Sequence, residues 1–157
     1  MMIAVLTLAC SAGAATIGGV FLGFSVFIMQ SLARLPANQG IAAMQSINVV
    51  VLESRFVPLF VATSSLSVAC LIVSCFFWTQ PGSPLLFYCG ALFLVGSALV
   101  TLACNIPRNE KLEHMDAESP EALEYWPQYV REWTFWNSVR TAASLASAAL
   151  GVLSVLR

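Results

Sequence analysis

Charge is what this chain has least of. Of its 157 residues only 10% are Asp, Glu, Lys or Arg, while 59% are hydrophobic. Soluble domains carry about 25% and about 45–50% respectively. No charged residue occurs from Met1 to Ala33, and none from Phe56 to Pro107. That scarcity excludes an ordinary soluble domain and points to an integral membrane protein. A net charge of −1, with no clustered Lys and Arg, excludes a nucleic-acid footprint. Also missing are a phosphate-binding glycine loop, a dinucleotide fingerprint, a haem-attachment pair and a nucleophile triad. The five cysteines, Cys10, Cys70, Cys75, Cys89 and Cys104, form no Cys-x-x-Cys pair. Inside apolar runs they read as buried, inert thiols, and a thiol-redox role would require them to face one another in pairs.

What is present divides into four spans of a single transmembrane domain covering 1–157. A bilayer core of about 30 Å needs about 20 helical residues. The first span, about 3–34, exceeds that and protrudes; it lacks the basic n-region of a signal peptide and is too long for one. Thr7, Ser11, Gly18 and Ser25 share one of its faces and mark a packing seam. Pro36 ends this span. From Asn38 to Leu52, Ile41, Met44, Ile47 and Val51 recur at three and four residues beside Gln45 and Asn48, which predicts a short amphipathic helix at the interface or under the bundle. The turn residues Thr79-Gln80-Pro81-Gly82-Ser83-Pro84 split the next run into spans at about 57–78 and 85–104. Thr63, Ser67, Cys70 and Ser74 line one face of the former, and Gly90, Ser97, Thr101 and Asn105 one face of the latter. The fourth span is expected at about 133–156, after a polar, partly helical loop in which Ser119 caps a helix start at Pro120. Tyr125, Trp126 and Tyr129 in that loop read as an interfacial aromatic belt. The fold class is therefore all-α, an integral membrane four-helix bundle with a short interfacial helix after the first span.

Four spans put both termini on one side. Loops one and three hold Arg34, Arg55, Arg108, Lys111 and Arg131, against Arg157 on the other side, so these loops are expected to be cytoplasmic, and in a bacterium the membrane would be the inner one.

The candidate chemistry gathers at the two ends of the third loop. Trp133, Trp136, Asn137, Arg140, Ser144 and Ser147 share one face of the fourth span. With Trp133 at the interface, Arg140 lies about 10 Å deeper. A guanidinium there costs at least about 2.5 kcal/mol without a partner or water, so it should point into the bundle; the alternative is snorkelling to headgroups. Asn105 closes the polar stripe of the third span, and Pro107 is expected to end or kink that helix, freeing carbonyls for Asn109, Asn137 or Arg140. Such a cluster is either a clasp between the third and fourth helices or a polar pocket at the bundle mouth. A closed, packed cluster favours the clasp, and an open cavity beside Trp133 and Arg140 favours a ligand. His114, the one histidine, shares a helical face with Glu110. Among solvated carboxylates it is a poor metal site, and no metal is expected; it becomes a candidate general base if its loop folds over the pocket.

Several segments together resemble a known group. They are Gly19-Val20-Phe21-Leu22-Gly23-Phe24-Ser25-Val26-Phe27 with Leu32 to Pro36, Gln39 to Asn48, Asn105-Ile106-Pro107-Arg108-Asn109, and Trp133-Thr134-Phe135-Trp136-Asn137-Ser138-Val139-Arg140. In this order they look like the DUF1772, or anthrone oxygenase, family of small four-span membrane proteins, some of whose members are associated with oxidising anthrones to anthraquinones. The resemblance implies a membrane-embedded monooxygenase acting on a hydrophobic polycyclic aromatic, with O2 as co-substrate and no cofactor. Trp133, Trp136 and Asn109 would then bind substrate, Arg140, Asn137 and Asn105 would stabilise an oxyanion, and His114 would be the base. The partners expected are the bilayer and an oily aromatic molecule, with a homo-oligomer open. The alternative function is a non-catalytic tetraspan whose polar cluster is a clasp for helix packing or oligomerisation.

Overall fold

Small residues repeating at three and four residues let helices approach closely, and the bundle is assembled on those stripes. The computed structural model describes residues 2–157. It contains four long apolar helices, α1 (Ile3–Ala33), α3 (Phe56–Phe76), α4 (Ser83–Glu113) and α5 (Pro120–Val155). A shorter helix, α2 (Ala37–Glu53), lies between the first two. All four long helices are apolar and long enough to cross a membrane, and the molecule is an integral membrane four-helix bundle. Large apolar side chains such as Val26, Phe27, Val61, Ile72, Leu102 and Phe135 point outward, where lipid replaces water. Small polar ones fill the inside.

The stripes coincide with the buried faces: Thr7, Ser11 and Gly18 on α1, Thr63, Ser67, Cys70 and Ser74 on α3, Gly90, Ser97 and Asn105 on α4. Ser11 and Ser67 donate to the carbonyls four residues back on their own helices, at 2.9 Å each, Ser147 donates across to the Cys89 carbonyl at 2.7 Å, and the hydroxyls of Ser97 and Ser144 are buried without a partner. The α3–α4 turn requires Gly82, whose φ of +83° is left-handed, and Ser154 of α5 donates to its carbonyl at 3.0 Å.

Above this turn the α3–α4 hairpin is tight and then opens. At Gly90 an added Cβ would lie 2.6 Å from the Ser67 carbonyl oxygen. Beyond it α4 widens into two π-helical segments, Leu94–Leu99 and Thr101–Asn105. From Thr101 onward its backbone no longer approaches that of α3. The resulting gap faces the end of the bundle where the first and third loops lie.

That end is covered by α2. Its Ile41 and Met44 pack with Met29 and Leu32 of α1, Leu112 of α4, and Ala122, Trp126, Tyr129 and Trp133 of α5. Gln45 caps α4 by donating to the carbonyls of Leu112 and Met115 at 2.9 and 2.8 Å. Trp126 and Tyr129 are therefore core residues, stacked at 5.6 Å and 14°, rather than members of an interfacial belt. α5 begins at Pro120, where the Ser119 hydroxyl accepts from the Ala122 amide at 3.2 Å. The span expected from Trp133 is thus the inner part of one 36-residue helix. Pro107 does not end α4 either: it sits in the first turn after the π segments, and the helix continues to Glu113.

Replacing Gly90 by alanine should destabilise the bundle by about 1–3 kcal/mol, because backbone rather than a flexible side chain blocks the new methyl. The check is the thermal midpoint in detergent, with Gly19→Ala, where nothing lies within 4 Å, expected to leave it unchanged or higher.

Candidate functional site

Arg140 projects from the middle of α5 into the bundle, only 5% exposed. It does not reach the headgroups. Its Nη2 donates to Asn137 Oδ1 at 2.7 Å and its Nη1 to Thr101 Oγ1 at 3.1 Å. The guanidinium stands over the Phe21 ring at 4.1 Å and near the Trp133 ring at 5.3 Å. Its Nε has no partner, and no carboxylate is paired with it. Among the described residues the one ion pair is Arg108–Glu132, half-exposed, at 2.8 Å.

The residues around Arg140 are held by bonds that run between helices. Asn137, fully buried, donates through Nδ2 to the Phe21 carbonyl and to Ser25 Oγ, both at 2.7 Å. It thus ties α5 to α1 and presents its oxygen to the guanidinium. Asn105 Nδ2 donates to the Trp133 carbonyl at 3.2 Å, tying α4 to α5. Asn109 Oδ1 accepts from Tyr129 Oη at 2.9 Å and from Trp133 Nε1 at 2.7 Å. Among the described residues, no side-chain bond from Asn109, Asn137 or Arg140 reaches a carbonyl in the turn before Pro107. In that turn Arg108 donates through Nη1 to the Cys104 oxygen at 2.7 Å.

Next to this network lies a cavity of about 900 Å³, within the range of about 300–1,000 Å³ usual for small-molecule sites. Phe21, Phe24, Phe56, Phe60 and Trp133 provide flat apolar walls, and Arg140, Thr101, Asn48 and Asn109 supply the inner polar groups. Val61, Val68 and Leu102 line it from the lipid side and are exposed, so it opens laterally between α3 and α4. Glu110, Glu113 and His114 stand at its mouth.

The seven sequence candidates separate accordingly. Arg140, Trp133, Asn109 and, at the mouth, His114 line the cavity; Asn137 lies behind Arg140 and positions it; Asn105 is part of the clasp. Trp136 is turned away and packs edge-on against Phe135 at 5.1 Å. His114 is exposed, its Nδ1 donating to the Glu110 carbonyl at 2.6 Å, which leaves Nε2 as the free acceptor. It lies thirteen residues beyond Thr101 along α4, about 18 Å once the wider π turns are allowed for. Both His114 and Arg140 line the cavity, His114 at its mouth and Arg140 at its inner wall. Unforeseen were Phe21 under the guanidinium and Asn48 in the cavity wall. The signal for Phe21 was its place four residues before Ser25, on the seam of α1.

Three cysteines, Cys10, Cys70 and Cys89, meet in the opposite half of the bundle. All are free and fully buried, with Ser67 and Ser147 hydroxyls 3.4 and 3.6 Å from Cys10 and Cys89. A soluble redox partner has no access to them in the closed bundle.

The sequence model described as anthrone oxygenase matches residues 47–150. The chain belongs to the anthrone oxygenase family. The match runs from α2 through most of α5, and so includes every cavity residue except those on α1 and the first part of α2. No curated protein and no solved structure matches this chain. Family membership makes it an oxygenase-like membrane protein, for which a hydrophobic small molecule is the fitting substrate class.

Two substitutions separate the roles assigned here. Asn137→Leu should lower stability by about 1–3 kcal/mol, because it strips the guanidinium and the Phe21 carbonyl of a buried partner; thermal unfolding in detergent reads it. His114→Ala should reduce any oxidation rate by less than about tenfold, whereas loss of a direct base costs about 10²–10⁴.

Proposed function

We propose that this anthrone oxygenase family member oxidises an anthrone-type polycycle at its central methylene with O2, binding the substrate's oxyanion at Arg140. The observation that carries the reading is a buried guanidinium without a carboxylate, facing a flat-walled cavity that opens toward lipid. A cation so placed is complementary to an anion that forms there, and an apolar surrounding strengthens the attraction.

The chemistry follows from the substrate. Loss of one methylene proton converts an anthrone into a delocalised anion whose charge rests largely on the carbonyl oxygen. Arg140 stabilises that oxyanion, and the proton passes to water at the cavity mouth, where Glu110, Glu113 and His114 stand. The electron-rich carbon then gives electrons to O2 and bonds to it, forming a hydroperoxide after proton uptake. Loss of the remaining C–H proton breaks the O–O bond and releases water, leaving the quinone carbonyl. One oxygen atom enters the product and the other leaves as water, so O2 is the sole oxidant and the step calls for no bound cofactor. Lateral access suits a substrate dissolved in the bilayer. The excess of Lys and Arg on the loops at this end supports a cytoplasmic mouth.

A second reading keeps the same residues as a clasp in a non-catalytic tetraspan, and the Asn105 and Asn137 bonds to backbone carbonyls support it. The two diverge at Arg140. For the oxygenase, Arg140→Gln should lower anthrone-dependent oxygen uptake by about 10²–10³-fold while leaving the thermal midpoint unchanged or higher, since an unpaired charge leaves the membrane interior. A lower midpoint with no anthrone-dependent uptake by the unmodified protein would establish the clasp instead. The experiment is oxygen consumption and quinone absorbance with purified protein and anthrone, above the spontaneous rate.

A further inference from the structure

The half of the bundle away from the cavity holds a polar cluster that neither the clasp nor the oxidation uses. Cys10 of α1, Cys70 of α3 and Cys89 of α4 are fully buried and pack together with Leu86. With no Cys-x-x-Cys pair in the sequence, thiol chemistry requires cysteines of different helices to face one another, and these do. Among the described residues no three of the thiol, imidazole and carboxylate side chains form a metal-holding group. The chemistry open to the three thiols is therefore pairwise.

Hydrogen-bond directions single out one pair. The Ser67 hydroxyl gives its proton to the Thr63 carbonyl at 2.9 Å, and its oxygen lies 3.4 Å from Cys10 Sγ. That oxygen can then only accept, so the Cys10 S–H points to it. In the same way Ser147 gives its proton to the Cys89 carbonyl at 2.7 Å and accepts from the Cys89 thiol at 3.6 Å. Cys70 has no such hydroxyl. Its thiol adjoins that of Cys10 and donates to the lone pairs that Cys10 turns away from Ser67, whereas Cys10 and Cys89 turn lone pairs to each other. The backbones are also close. One turn along, a Cβ added at Gly13 of α1 would run into the Thr63 hydroxyl of α3, and a disulfide needs Cβ atoms about 3.5–4.5 Å apart.

We propose that Cys10 and Cys70 are an oxidation-sensitive pair, a modification site at which hydrogen peroxide joins α1 to α3 through a disulfide. The oxidant has to be small and uncharged, because both thiols are reached only through lipid and packed helices. The Cys10 sulfur bonds to one peroxide oxygen, the O–O bond breaks, and the other oxygen leaves as water with the thiol proton. A sulfenic acid results. The Cys70 sulfur then bonds to the Cys10 sulfur, the S–O bond breaks, and the hydroxyl leaves as a second water with the Cys70 proton. Two thiols are oxidised and one peroxide is reduced. Nothing in this step rests on the oxygenase reading.

The test uses the full-length protein in lipid nanodiscs, with Cys75→Ser and Cys104→Ser so that only the three buried thiols remain. After peroxide the protein is unfolded in dodecyl sulfate, labelled with a maleimide and weighed intact. Untreated protein should take three labels and treated protein one, with all three restored by dithiothreitol, and a peptide map should show Cys10 joined to Cys70. Adding Cys89→Ser should leave the loss of two labels unchanged, and adding Cys70→Ser should abolish it; the peptide map carries the test if either variant does not fold. The oxidised protein should also unfold about 5–10 °C higher. Three labels after peroxide, a Cys10–Cys89 link, a loss that dithiothreitol does not restore, or an unchanged midpoint once the disulfide has formed would each overturn the proposal.

Discussion

A guanidinium inside an apolar bundle has to be solvated by the protein itself, and the arrangement around Arg140 follows from that need. Thr101 of α4, Asn137 of α5 and the faces of Phe21 on α1 and Trp133 on α5 replace its water. Each contact is weak alone; a cation over an aromatic face contributes about 0.5–2 kcal/mol, more when desolvated. Three helices meet at this level, because Asn137 of α5 is bonded to the Phe21 carbonyl and Ser25 of α1 and Arg140 to Thr101 of α4. The polar network and the packing of α1, α4 and α5 are therefore one constraint.

The cavity is the second consequence of how α4 is built. A regular α-helix leaving the tight contact at Gly90 would continue along α3. The two π-helical segments rotate and widen α4 over Leu94–Leu99 and Thr101–Asn105, and π segments inside helices are frequent at functional sites. They carry Thr101 to the guanidinium and Asn105 to the Trp133 carbonyl, while α3 falls away. α2 then closes the end of the gap, and its Met44, Ile47 and Asn48 become part of the wall. The site is thus made by one helix departing from its neighbour and another covering the space.

Much of this was legible in residue spacing. Small polar residues at three and four residues marked the buried faces of α1, α3 and α4, because in lipid only such residues let backbones approach. The depth of Arg140 beyond Trp133 was enough to turn it inward. What spacing could not show was the continuity of α5 below Trp133. Glu121, Glu124 and Glu132 made that stretch look like solvated loop, although Ala122, Trp126, Tyr129 and Trp133 already recur at four, three and four residues. That periodicity acquires meaning only once α2 lies across it. The π segments were equally hidden, since nothing in Leu94–Asn105 distinguishes them from ordinary helix. Without them Pro107 looked like a stop.

Clasp and site are not exclusive descriptions of one cluster; they divide it by the direction in which each donor points. Asn105 and Asn137 turn their nitrogens to backbone carbonyls of neighbouring helices, bonds that need no ligand, although the Asn105 oxygen is buried without a donor. The Nε of Arg140 is buried without an acceptor, and the residue lines the cavity. At the opposite end of the bundle, Ser67 and Ser147 give their protons to the carbonyls of Thr63 and Cys89 at 2.9 and 2.7 Å. Such hydroxyls lie inside packed helices and face no ligand. A donor left over beside an apolar cavity has a different physical meaning, because desolvating an N–H group without an acceptor opposes folding. In the proposed oxygenase, the guanidinium is where a substrate oxyanion would find its counter-charge.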